Sequence, residues 1–174
     1  MLAFVLIFGK WLGLGGMIAT AVIGYAAPAT FTWETHYLLG MVSTFLYALA
    51  QVMTVYYFLG MRTAMVRAAA KYELGEEFTV EAQAIKKSVS RLGHLLPLLA
   101  TAVLIVAGGA LFGKITPWIH WALGGLTIVL GITSGVIEWR AFRQNAALYE
   151  RAAERINALP APTESESVLE SPRG

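Results

Sequence analysis

The sequence predicts an all-α protein, a four-helix transmembrane bundle made of two tandem hairpins. Of its 174 residues, 57% are hydrophobic and only 14% charged, against roughly a quarter charged in soluble domains. Four long apolar runs each hold enough residues to cross a hydrocarbon core, which takes about 20 in a helix. His36-Tyr37-Leu38-Leu39-Gly40-Met41-Val42-Ser43 and His120-Trp121-Ala122-Leu123-Gly124-Gly125-Leu126-Thr127 share one pattern of His, aromatic, Leu, Gly, aliphatic and hydroxyl residues. Each opens an apolar stretch just after a Trp, Trp33 or Trp118.

The first span runs from about Phe4 to Ala27, interrupted by Lys10, whose stem can carry its charge to the interface. Its apolar run is too long for a signal-peptide core and no basic segment precedes it, so it reads as a retained helix. The second span runs from His36 to about Met61, the third from about Leu92 to Phe112, and the fourth from Trp118 or His120 to Ile137. Pro97 is expected to bend the third span one turn into the membrane. Between the second and third spans, Thr63 to Ser90 is rich in Ala, Glu and Lys. It reads as a charged helical hairpin broken at Gly75. The fourth helix is expected to continue through Arg155. Residues 1–158 thus form one transmembrane domain with helical extensions, and residues 159–174 an acidic tail of disordered composition.

Basic residues set the expected orientation. Arg62, Arg67, Lys71, Lys86, Lys87 and Arg91 lie in or beside the middle connection, and Arg140, Arg143, Arg151 and Arg155 follow the fourth span. The other two connections carry only Lys114. The positive-inside rule puts both termini and the middle loop in the cytoplasm, with His36 and His120 near the outer face. Ile18-Ala19-Thr20-Ala21-Val22 also matches Leu99-Ala100-Thr101-Ala102-Val103, with Lys10 opposite Arg91. The two hairpins then share one orientation and a pseudo-twofold axis along the membrane normal.

At 100° per residue, the His36 face continues through Gly40, Ser43, Tyr47, Gln51 and Thr54. The His120 face continues through Gly124, Thr127, Gly131, Ser134 and Glu138. The third span adds His94, Thr101 and Gly108. Stripes of small and polar residues on apolar helices are expected to face one another rather than lipid.

Two imidazoles at one depth on facing helices suit the axial positions of a b-type haem. Gly40 and Gly124 would clear room beside His36 and His120, and Thr35, Trp33 and Trp118 would orient ligands or propionates. Three other readings stand beside it. Both histidines can be interfacial anchors in an aromatic belt. Glu34 with His36 and His120 can hold copper or zinc. His94 with Gln51 and Tyr57 can cradle a quinone, or His94 can be an interfacial residue beside Arg91. Glu138 is expected to pair with Arg140, Arg143 or Lys10, with a proton-relay role as the alternative. Tyr56-Tyr57-Phe58 reads as an inner aromatic belt.

With no Cys, disulfides, thiolate metal sites and covalent c-type haem are excluded. A net charge of +2 with no basic-aromatic groove gives no case for nucleic acid. No nucleophile–base pair, phosphate loop or carboxylate dyad marks a self-contained enzyme. A small transporter is disfavoured because neither a broken helix nor a buried charge pair is visible. The leading expectation is a haem-bearing electron-transfer subunit of a respiratory or photosynthetic complex, in contact with lipid and other membrane subunits. The competing one is an accessory subunit without a cofactor.

Thr35-His36-Tyr37-Leu38-Leu39-Gly40 through Tyr57-Phe58-Leu59-Gly60-Met61 resembles a group of small bacterial four-helix membrane proteins, over about residues 30 to 145. In that group a His often stands where this chain has Gln51. If that His is a cofactor ligand, the resemblance implies no second haem here. The general plan is also similar to membrane cytochrome b anchors, such as those of succinate dehydrogenase and cytochrome b561.

Overall fold

A computed structural model describes residues 2–26, 32–109 and 116–159. The side chain of Trp33, Lys114 and the expected tail from Pro160 onward lie outside that description. The chain forms α1 (Leu2–Ala26), α2 (Trp33–Lys71), α3 (Glu76–Val89), a π-helical turn (Ser90–Leu95), α4 (Leu96–Gly109) and α5 (Pro117–Asn157). Because α3, the π turn and α4 run as one rod, four helices are long and apolar enough to cross a membrane. This is the architecture of a multi-pass membrane protein. The exposed large side chains, among them Phe4, Phe8, Val42, Phe45, Leu99, Ile105, Leu126 and Val129, are apolar and suit lipid contact.

The helix ends follow local chemistry. Thr32 caps α2 by accepting from the Thr35 backbone N–H. Pro117 opens α5 in its first turn, where a missing N–H costs nothing. The middle connection is the expected helical hairpin: α2 runs to Lys71, Glu73 turns with φ 51°, and Gly75 caps α3. Helix α3 buries Phe78, Ala82, Ile85 and Val89, one stripe at helical spacing, with its acids in the first turn and lysines in the last. That stripe packs on Phe58, Met65 and Ala69 of α2 and on Ala141, Phe142, Leu148 and Ala152 of α5. At 41 residues, α5 is about 60 Å long, twice a hydrocarbon core. Its last turns therefore pack against protein rather than lipid.

Helices α1 and α2 approach closely along an antiparallel seam built on glycine. A Cβ at Gly9 would meet Ala50, one at Gly13 the Tyr47 backbone at 2.6 Å, and one at Gly16 the Ser43 side chain. Further along, a Cβ on Gly40 would meet Thr20 at 3.3 Å, and one on Gly24 the His36 ring at 2.7 Å. Each step of three or four along α1 meets one in the reverse direction along α2. Without side chains the two backbones come into direct contact, the arrangement that dispersion favours in lipid. Helix α5 joins by the same device. A Cβ at Gly131 would meet Leu14 and Tyr47, and one at Gly135 the Trp11 ring.

This seam distinguishes glycines that look alike in the sequence. Gly13→Leu should lower the unfolding midpoint in detergent by the equivalent of about 1–3 kcal/mol or more, since backbone cannot move aside. Gly15→Leu, at a position with nothing within 4 Å, should unfold like the wild type.

Candidate functional site

The polar stripes expected from the sequence are buried: Ser43, Tyr47, Gln51 and Thr54 on α2, and Thr127, Gly131, Ser134 and Glu138 on α5. Most threonines satisfy themselves. Thr20, Thr44, Thr54, Thr101 and Thr127 each donate to the carbonyl four residues earlier in their own helix. The buried ionisable groups that bond between helices gather in one place.

There, Lys10 Nζ lies 2.7 Å from Glu138 Oε2, with both side chains 2% exposed. The ammonium also donates to Ser134 Oγ at 2.5 Å and stands 5.7 Å from the Tyr47 ring centre. The other carboxylate oxygen of Glu138 accepts from Gln51 Nε2 at 2.8 Å and faces His94 Nδ1 at 3.1 Å. Ser134 Oγ donates to the Gly93 carbonyl at 2.5 Å, and Gln51 Nε2 donates to the same oxygen. Lys10 comes from α1, Gln51 and Tyr47 from α2, His94 from the π turn, and Ser134 and Glu138 from α5. Every membrane-crossing helix therefore supplies a member.

Pro97 explains why Gly93 takes part. An α-helix would satisfy the Gly93 carbonyl with the N–H of residue 97, which proline lacks. The helix opens into a π turn over Ser90–Leu95, and the carbonyl accepts from Gln51 and Ser134 instead. The expected bend at Pro97 is thus a widened turn that presents a backbone acceptor and His94 to the interior. Measured along the helices at about 1.5 Å per residue, Gln51 lies roughly 22 Å from His36, and Glu138 roughly 27 Å from His120. The cluster sits toward the loop end of the spanning segments.

Several expectations change. Lys10 does not carry its charge to an interface; its amine is buried on Glu138. Arg140 and Arg143 are exposed, and Lys10 is the partner of Glu138. The case against a transporter fails on both premises, because the interior holds a charge pair and the third helix is interrupted by a π turn. Lys10 and Arg91, matched in the internal repeat, have opposite fates, one buried and one exposed.

Gln51 and His94, expected near a quinone, do meet, at 3.2 Å. They are engaged with Glu138 and Gly93. Tyr57 stands apart, packed on Phe58 and Phe142, with its hydroxyl accepting from Asn145 at 3.4 Å.

At the opposite end, His36 and His120 lie within electrostatic range of each other. The His36 ring packs into the notch at Gly24. Gly40 is closed by the Thr20 methyl, whereas a Cβ at Gly124 would meet nothing within 4 Å. Gly40 thus lies at a contact between helices, and Gly124 does not. Among the described residues no three His, Asp or Glu side chains gather as a metal site, so Glu34 does not join His36 and His120 in one.

No protein-family model, curated protein or solved structure matches this chain. The reading of its site rests on its own geometry.

The ion pair has a measurable signature. Removing one partner leaves a buried charge uncompensated, which in soluble proteins costs about 3–5 kcal/mol. Lys10→Met and Glu138→Leu should each destabilise the protein strongly, and the double variant should recover much of the loss. The check is a double-mutant cycle on unfolding in detergent, with strong coupling between the two sites expected.

Proposed function

We propose that this chain is a membrane subunit that binds and passes protons within the bilayer, with Lys10, Glu138 and His94 as the groups that carry them. One observation carries the reading: an ammonium, a carboxylate and an imidazole, one from each of three spanning helices, meet in a water-poor interior. Ionisable side chains are costly there and mark proton or ion pathways when they occur. A purely mechanical clasp needs no imidazole against the carboxylate. A single hydroxyl or amide would hold the helices as well.

The chain belongs, on this reading, to a larger membrane assembly of the respiratory or photosynthetic kind. It has two tandem hairpins and both termini in the cytoplasm, an orientation supported by the basic residues flanking the middle and last connections. The cluster then lies on the cytoplasmic side and the histidine pair on the outer side.

The test is proton movement into liposomes holding the purified protein and an internal pH dye, driven by a potassium-valinomycin potential. Wild type should exceed empty liposomes, and Glu138→Gln should reduce the rate at least tenfold. The double variant Lys10→Met/Glu138→Gln, which carries no unpaired buried charge, should be equally inactive. Wild-type rates no greater than those of these variants would leave the cluster a structural clasp.

A second reading is favoured by the approach of His36 and His120. Two imidazoles near each other on facing helices are the residue types that hold a b-type haem, and such a group, when bound, supplies one-electron transfer. His36 and His120 would hold the iron, with the room beside it lying at Gly124 rather than Gly40. Purified protein expressed with ample haem should show a reduced-minus-oxidised spectrum of low-spin haem. His36→Ala and His120→Ala should each abolish it, and His94→Ala should leave it intact. Colourless protein, or haem that survives both substitutions, overturns this reading.

A further inference from the structure

We infer that His94 is the residue through which protons enter the Lys10–Glu138 cluster, accepting at Nε2 and delivering from Nδ1. This rests on the proton-transfer reading above and assigns the direction and the atoms. Gln51 Nε2 has two hydrogens, and its two shortest contacts, the Gly93 carbonyl and Glu138 Oε1, take both ahead of His94 Nδ1 at 3.2 Å and Ser134 Oγ at 3.3 Å. Glu138 Oε1 also faces His94 Nδ1 at 3.1 Å. Two acceptors cannot share that contact without a proton, so with Glu138 ionised the proton is on Nδ1. Neutral His94 is then the Nδ1–H tautomer, and Nε2 carries a bare lone pair.

That lone pair is the unusual feature. The His94 side chain is 9% exposed, and Nε2 is buried with no hydrogen-bond partner. Gln51, 0% exposed, has its Oε1 in the same condition. Buried polar atoms are rarely left unpaired, and an unmet acceptor calls for a proton or a water. Nε2 and Oε1, on adjoining members of one cluster, are thus two acceptors open to a proton donor. The neighbourhood favours an entry role, since Arg91, one turn earlier on the same helix, is exposed at the loop end. Phe58 packs with its ring centre 6.0 Å from that of His94, an apolar wall beside the imidazole. The titratable groups around the cluster, among the described residues, are Lys10 from α1, Tyr47 from α2 and Glu138 from α5.

The transfer balances without any co-reactant. A proton from water binds Nε2 and makes the ring cationic. The N–H bond at Nδ1 then breaks as the proton passes to Glu138 Oε1, leaving a neutral ring protonated at Nε2 and a neutral carboxyl group. Lys10, losing its counter-charge, can then release its own proton onward toward Ser134 and Tyr47. Glu138 then passes its proton to the neutral Lys10 amine, which restores the ion pair, and the ring returns to its starting tautomer by exchange with water, losing a proton at Nε2 and gaining one at Nδ1.

Two measurements test this. Nitrogen-15 NMR of histidine-labelled protein in nanodiscs should show a neutral His94 protonated at Nδ1, assigned by the signal lost in His94→Gln. An Nε2–H tautomer overturns the assignment whatever the protein transports. In the liposome assay, His94→Gln keeps a donor for Glu138 but cannot relay a proton, and should lose at least tenfold in rate. His94→Ala should be equally slow and be restored severalfold by millimolar imidazole. Flux in the wild type that both variants retain overturns the role of His94 alone. No flux in the wild type removes the function on which it rests.

Discussion

The contact on which the rest of the structure depends is the ion pair between Lys10 and Glu138. Neither group could sit where it does without the other, and neither is satisfied by the pair alone. Glu138 uses one oxygen for Lys10 and the other for Gln51 and His94. Lys10 reaches Ser134 and the face of Tyr47 as well. Two charges that would each exclude a helix from lipid become, together, the reason four helices share one interior. The stabilisation depends on the completeness of the pairing at the two charges, because an unpaired charge in a low dielectric is costly.

That completeness depends on close approach. Lys10 reaches Glu138 and the Tyr47 ring because α1 is almost bare along the face it turns to α2. Gly9, Gly13 and Gly16 let the backbones touch, and Gly131 and Gly135 let Tyr47, Leu14 and Trp11 nest against α5. Large side chains on one helix fill the gaps left by small ones on the next. The seam also sets the distance between the two ends of the molecule, holding His36 against Gly24 while it holds Gln51 near Lys10. The cluster and the histidine pair at the opposite end are thus set by one helix register.

The π turn adds the remaining element. A regular helix through Leu95 would turn all its carbonyls inward on itself. Pro97 denies Gly93 its donor, and the freed carbonyl becomes an acceptor for side chains from two other helices. The same widening brings His94 to Glu138. A residue that breaks helices in water here builds a site, because in lipid the freed group has to find a partner within the protein.

Much of this was legible in the sequence. Apolar runs and basic flanks marked four helices, and period 3.6 marked the buried faces of α2 and α5, down to Gln51, Ser134 and Glu138. Gly75 and the Ala-Glu-Lys composition marked the charged hairpin. The glycine face of α1 was also written there, at Gly9, Gly13, Gly16 and Gly24, but its meaning depends on what lies opposite. Periodicity says which way a side chain points from its own helix and nothing about the depth at which it meets another. Gly40 and Gly124 occupy equivalent places in a repeated pattern, yet Thr20 closes one and nothing approaches the other. Lys10 and Arg91 align just as well, and only one has a carboxylate across from it. The sequence alone determined the helices and their polar faces, since those follow from local spacing. The tertiary structure decided which polar groups face one another, because the register between helices is set by backbone contacts between residues far apart in the chain.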